Sequence, residues 1–563
     1  MALSQYTIAE VRQNGTSTGG CLFDPGQYAG MYTDGAATSA TGTDPVFSSA
    51  SYNFVSGDVG AWVYIYTGTN WTAGWYKIVS VASNVATLNG AIGQAVKLTT
   101  TGTIRPDGPS TTVGCATTSS PTGATWSIDY SQQDAVAFTY TDLASAGAGL
   151  TVSSAAKPFN KQHVGNGLNI TSGTNFTAGR YVIASVAANV ATVVGPGNIT
   201  TGVGSGGNGG LGGAVDTIGR FSASVAGNIM YITGTFSRTV NADSCSNPGS
   251  ADKACIIEGY GTVRGDGWMG RYDSTGFLNT TNFAVLQYTT GRFLQNSAYC
   301  CHKFLSITQT GSTGSIAFQT SSYCSAYGIR VSASGGNVNQ SCIYSTFSAN
   351  CDIFLSGANG LTAIYELANN VYIDCIVSST AGTAPAILLT TNNSKYINCL
   401  FFSCSGVTVY TTSGGAYDGV FSNCTFTGGG SDALYYNANQ YCHYIFNRCL
   451  FTDNSGYGMR TGFSSVAAPI LHQCAFRNNS SGTTNFNRSS LFGAFDPPLE
   501  YSGSPSIDYQ SSGSANPLGY ALIQQSPAYG VGTFGANIGA LPKGAGRSVS
   551  SPLSRGTRRK KLP

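Results

Sequence analysis

At 563 residues the chain is long enough for several domains, so the size of a hydrophobic core does not limit it. Only 9% of its residues are charged, while Gly numbers 74 and Tyr 32. That excludes a disordered chain, since apolar and aromatic residues are plentiful, and it fits an extended all-β surface better than a cytosolic enzyme. The net charge of +3 is uneven: positions 543–563 hold seven basic residues and no acid, leaving 20 basic against 24 acidic side chains elsewhere.

The opening MALSQYTIAEVRQNG has neither the basic n-region nor the apolar h-region of a secretory leader, and no apolar run is long enough to span a membrane. The first two hundred residues then contain a duplication. GTNWTAGWYKIVSVASNVATLNG, within Val59 to Gly90, returns as GTNFTAGRYVIASVAANVATVVG, within Val164 to Gly195, at an offset of 105 that Asp24 and Asp129 also obey. Alternation in WYKIVSV and RYVIASV predicts strands, punctuated by the GTN and TAG turns. Two small β modules are expected, residues 1–100 and 101–200. Their shared GTN-aromatic-TAG loop reads as a tight turn, with ligand binding the lesser alternative. GVGSGGNGGLGG reads as a flexible hinge over 201–215, and VDTIGRFSASV as a short helix capping the next domain. GYGTVRGDG is Gly-rich but is not GxGxxG, and its RGD tripeptide is more readily chance than an adhesion motif.

From Val371 to Phe476 the fragments YIDCIV, YINCLF, FSNCTF, FNRCLF and LHQCAF recur. Their cysteines, Cys375, Cys399, Cys424, Cys449 and Cys474, are separated by 24, 25, 25 and 25 residues, the mark of a solenoid. Aromatic residues stand three before most of these cysteines, and Phe401, Phe426, Phe451 and Phe476 two after. A polar column that includes Asn398 and Asn423 immediately precedes them. The positions at −3 and 0 would face opposite ways on one straight strand, so the chain should bend at the polar position, where Asn tolerates the left-handed conformation. Stacked coils about 4.8 Å apart would bring these columns into ladders of Cys, aromatic rings and, in part, Asn. The sixteen cysteines then read mainly as buried thiols. With no CxxC pair facing another, neither a metal nor a cofactor is expected.

This x-N-C-x-F pattern resembles right-handed parallel β-helices of the pectate-lyase and bacteriophage-tailspike type. The fold expected is therefore all-β: a right-handed parallel β-helix of about 24–25 residues per coil over 216–500, preceded by the duplicated modules. GNIMYITGTF and ACIIEGYGTVRGDG resemble its first coils, and irregular coils from Asn282 to Asn370 are where insertions and a binding surface are expected. A closing segment at 501–542 and a disordered basic tail at 543–563 come last, the tail suited to nucleic acid or an acidic partner.

Chemistry is sparse. No two carboxylates occupy one column of adjacent coils, although pairing across columns, such as Asp418 with Asp432, stays open. The best constellation is Asp418 and His443, one 25-residue coil apart, where a carboxylate could orient an imidazole as general base, with Arg448 stabilising negative charge. A surface polar pair is the simpler reading. The acidic Ca²⁺ cluster that the resemblance implies for lyases has no match here. Outward-facing tyrosines could stack on sugars, whereas Tyr372 and Tyr396 lie on the repeat column and read as core. The resemblance implies a virion appendage of a tailed phage, trimeric by analogy, that attaches to other virion proteins through its N-terminal modules and binds host surface polysaccharide. The alternatives are an extracellular depolymerase, either a polysaccharide lyase or a glycoside hydrolase, and a surface adhesin.

Overall fold

The computed structural model describes residues 7–484, apart from 89–121 and several shorter internal segments, together with residues 499–501. The closing segment beyond 501 and the basic tail lie outside the described residues.

Three sheets run side by side through most of the chain, a first of 12 strands, a second of 11 and a third of 10, parallel throughout except for the edge strand Leu22–Phe23 of the first. Each coil contributes one short strand to each sheet in turn. Tyr396, for example, pairs in register with Tyr372 behind and Phe421 ahead, and Phe426 with Phe401 and Phe451. This is a right-handed parallel β-helix.

The bend between the first and second sheets falls on the polar column. Asp374, Asn398, Asn423, Arg448 and Gln473 all adopt left-handed backbone, with φ between 52° and 56°. That reversal lets the residues on both sides of the bend enter the interior. Rings stack at nearly parallel planes: Tyr396 on Phe421 at 4.6 Å, Phe421 on Phe446 at 4.9 Å, and Phe426 on Phe451 at 4.8 Å. The cysteine ladder begins one coil earlier than the clearest repeats, at Cys351, and its thiols are buried and not joined in disulfides. Each thiol donates to main-chain carbonyls, Cys424 to Tyr396 O at 3.4 Å and Ser422 O at 3.5 Å. The amide ladder is short. Asn423 donates to Asn398 at 3.1 Å and Asn398 to Asp374, after which Arg448 and Gln473 occupy the column. A second, separate thiol column, Cys255, Cys300 and Cys324, lines the start of the first sheet.

The duplicated modules are two closed six-stranded barrels, with strands drawn from Tyr32–Asp129 and Phe138–Leu211, so both extend past the bounds expected at 100 and 200. Both carry register shifts at matching places: Ile78/Ser80 in one and Ile183/Ser185 in the other, at the offset of 105. Their interiors form one continuous apolar cluster.

The structure corrects two expectations. The Gly-rich run is no hinge, because Thr200–Leu211 is a 12-residue strand of the second barrel. Glycine is needed there for close approach. A Cβ on Gly209 would lie 2.6 Å from Asn169 O, and one on Gly207 would lie 2.8 Å from Leu143 Cβ. In the segment VDTIGRFSASV the described part forms a single 3₁₀ turn, Ile218–Arg220, and FSASV lies outside the described residues. The end of the solenoid is covered by Cys21 and Leu22 together with Val182 and Val194 of the second barrel, which join the β-helix core cluster. Finally, the N-terminal residues belong to the β-helix. Strand Ile8–Arg12 pairs in parallel with Ile229–Thr233 as part of the first sheet, so the barrels are inserted between neighbouring strands.

The RGD tripeptide contributes to that junction. Arg264 is 1% exposed and donates to Glu10 Oε2 at 2.8 and 3.0 Å, to Asp129 Oδ2 at 2.9 Å and to Ser131 Oγ at 3.0 Å. Its guanidinium also lies over Trp75 of the first barrel and Tyr231 of the β-helix. One cation thus ties the N-terminal strand, the first barrel and the solenoid together, and it is inaccessible to an adhesion receptor.

Candidate functional site

The structure aligns Asp418 and His443 as register partners on adjacent strands, Asp418–Ser422 and His443–Asn447, of the first sheet. Arg448 is not with them. It occupies the left-handed bend beyond the far end of its strand, five residues and so about 16 Å along the chain from His443. Asp432 precedes the third-sheet strand Leu434–Tyr436 of the same coil, on a different side of the solenoid from Asp418. Asp453 sits at a bend and receives hydrogen bonds from Thr452 and Asn478. Among the described residues no group of three or more His, Cys, Asp or Glu is placed to hold a metal.

Two of the three faces are partly covered. Trp62, Tyr64 and Trp75 of the first barrel pack on Ile8, Ile229 and Tyr231 of the first sheet. A segment inserted before the irregular coils crosses the second sheet. There Phe277 packs on Phe354 at 5.3 Å, and the Leu278 N–H donates to Asp352 Oδ2 at 2.7 Å. Asp352 also faces Arg330 on the neighbouring strand at 3.3 Å.

The third sheet carries an outward column. On three consecutive coils Val409, Leu434 and Met459 are buried in the core, and the next residue on each strand faces out. Those residues are Tyr410, Tyr435 and Arg460, register partners on three consecutive coils. The same register runs back to the half-buried Leu388. The rings of Tyr410 and Tyr435, both half-buried, lie 5.5 Å apart and tilted by 35°. The Arg460 guanidinium covers the Tyr435 ring at 5.2 Å and reaches Asp432 Oδ2 at 3.6 Å. Asp432, 3% exposed, is itself held by the Tyr457 N–H at 2.7 Å.

Two half-buried tyrosine rings, one exposed cation and the buried carboxylate that orients it therefore sit within three coils. An aromatic ring takes the C–H face of a sugar, and the exposed guanidinium supplies directional donors at its edge. Sequence reasoning missed this column, although its signal is present: an apolar residue followed by Tyr, Tyr and Arg at positions 410, 435 and 460, spaced by the coil period. The cysteine columns, being more regular, masked it.

No protein-family model matches the chain, and no curated protein sequence does. Among solved structures it is similar to an alginate lyase from a Paenibacillus species, with 12% identity, 46% of this chain and 93% of that one covered, and a TM-score of 0.31. It is also similar to a pectin methylesterase from Aspergillus niger, with 12% identity, 53% and 90% covered, and a TM-score of 0.27. A third likeness is to a tailspike protein from Pseudomonas phage LKA1, with 11% identity, 62% of each chain covered, and a TM-score of 0.18. The assignment of the fold stands on the strand register of the chain itself.

Proposed function

We propose that this protein is a structural appendage, a tail fibre or tailspike of a tailed bacteriophage, whose β-helix binds surface glycans of a host cell. The observation that carries the reading is the outward column Tyr410–Tyr435–Arg460, with Asp432 fixed beside it. Rigid strands hold these groups one coil apart, so a saccharide chain lying along the axis meets a preorganised surface. In this reading the twin barrels attach the molecule to other virion proteins, the β-helices associate as a trimer, and the basic tail meets an acidic partner.

The second reading is a depolymerase on the same β-helix, and the register pairing of Asp418 with His443 is what favours it. Incubation with a panel of bacterial surface polysaccharides separates the two readings, scoring both retention and release of reducing or unsaturated ends. Retention without cleavage is expected, and Tyr435→Ala should weaken it. Cleavage abolished by Asp418→Asn and His443→Ala would replace binding by catalysis. A protein that neither retains nor cleaves any of them is a shaft alone, and the glycan reading fails.

A further inference from the structure

A second aromatic feature lies earlier on the same side, at the bend that leads from the third sheet into the first. Tyr299 and Tyr323 are equivalent residues on adjacent coils, each directly before a buried cysteine of the Cys255–Cys300–Cys324 column. Their rings stack face to face, 5.0 Å apart and 6° from parallel. Both take left-handed backbone, with φ of 60° and 59°.

An aromatic residue is a poor choice for that conformation. Its bulky β-carbon substituent crowds the following carbonyl, and Asn is the ordinary solution. Three coils further along the chain uses that solution, with Asn393 at the matching position and φ of 64°. Elsewhere an aromatic at positive φ is compensated by burial: Phe304, with φ of 53°, is fully enclosed. Tyr323 has no such compensation, because Tyr299 covers one face of its ring and the side chain is still 67% exposed. Strain that burial does not offset, in a ring held open to solvent, is what a presentation site requires.

We infer that Tyr299 and Tyr323 form a second saccharide-stacking platform, so that one glycan chain is gripped at two points along the axis. This rests on the glycan-binding reading above. The third-sheet strand of Tyr323's coil, Ile316–Gln319, is four coils before that of Tyr410, which puts the two platforms about 19 Å apart at strand spacing. A ligand that reaches both must be an extended chain. The class of ligand is therefore a linear polysaccharide, as opposed to a terminal mono- or disaccharide cap. Its sugar faces contact the tyrosines, and its polar edge meets Arg460, which Asp432 orients.

The test compares wild type, Tyr323→Asn and Tyr435→Ala on the polysaccharide that the panel retains and on fragments of it too short to span both platforms. Asn suits the left-handed bend, so Tyr323→Asn should melt no lower than wild type. It should bind the long chain about five- to tenfold more weakly and the short fragments unchanged. Tyr435→Ala should weaken both. If Tyr323→Asn binds the long chain as wild type does while Tyr435→Ala is impaired, the second platform is refuted and glycan binding stands. If wild type retains no polysaccharide at all, both fall together.

Discussion

The late coils and the junction of barrels with solenoid solve the same problem, burial without leaving polar groups unpaired, in opposite ways. From Val371 to Phe476 each coil repeats its neighbour. Column rings such as Phe421, Phe446, Phe426 and Phe451 stack on their neighbours, and the thiols of the Cys375–Cys474 column find main-chain carbonyls. At the junction nothing repeats. Glu10, Asp129, Ser131 and Arg264 come from separate parts of the chain and meet once. The first arrangement distributes its stability along the axis, and the second concentrates it in one cation.

The largest effect is therefore expected at Arg264. Arg264→Met leaves Glu10 and Asp129 buried without their partner, which should cost up to about 5 kcal/mol. Burial already pushes the Glu10 carboxyl above its ordinary range, against the pull of Arg264 and Arg12. A carboxyl raised in the folded state contributes stability below its unfolded value, and loses that contribution as pH rises through the folded one. The penalty of Arg264→Met should thus shrink as pH is lowered toward about 4.3. Denaturant melts of both proteins across that range check it, and a penalty independent of pH would mean that Glu10 is not the group left uncompensated.

Phe426→Ala tests the other region. Phe426 stacks on Phe401 at 4.9 Å and on Phe451 at 4.8 Å, so its removal opens a void between two rings, at about 4 kcal/mol. Because coils contact only their neighbours, hydrogen exchange should rise in the adjoining coils and remain unchanged in the barrels. Exchange that rises everywhere would make the solenoid and barrels one cooperative unit.

This contrast also explains what was legible in the sequence. Columns such as Cys399–Cys424–Cys449 repeat because stacking demands the same residue at the same place, so the spacing revealed a stacked β repeat bent at Asn398 and Asn423, and the resemblance of its pattern to parallel β-helices supplied the fold. Arg264 was visible only as part of an RGD tripeptide, since nothing local marks a residue whose partners lie 254 and 135 positions away. The Gly-rich run was misread for a related reason: composition cannot distinguish glycine that confers freedom from glycine that allows the approach of Gly209 to Asn169. The outward column Tyr410–Tyr435–Arg460 lay between these cases, periodic but short.

His302 offers a buried titratable group outside both regions. It stands in register between Ile257 and Ala326, and its ring lies 5.5 Å from Phe293 and 5.3 Å from Phe318. Burial lowers its pKa to about 4, with the carbonyl of Ser325 opposing that shift. A histidine depressed below its unfolded value of about 6.5 binds fewer protons when folded, so its neutral form loses ground as pH falls. Wild type should lose up to about 3 kcal/mol between pH 6.5 and 4 from this residue. His302→Leu should remove that share of the slope, as read from melts at several pH values. An unchanged slope would assign the acid sensitivity to His163, which burial lowers to about 3.

The smallest effect is expected where the repeat is most regular. Serine at a buried apolar position ordinarily leaves a hydroxyl without a partner, at about 1–3 kcal/mol. In this ladder the Cys424 thiol already donates to Tyr396 O and Ser422 O, so a hydroxyl in its place has acceptors waiting. Cys424→Ser should therefore cost about 1 kcal/mol, from lost contact and the shorter reach of oxygen, whereas Cys424→Ala forfeits both carbonyl contacts as well as volume. If the serine variant proves less stable than the alanine variant, the carbonyls are not serving as acceptors. The column is then held by the packing of sulfur alone.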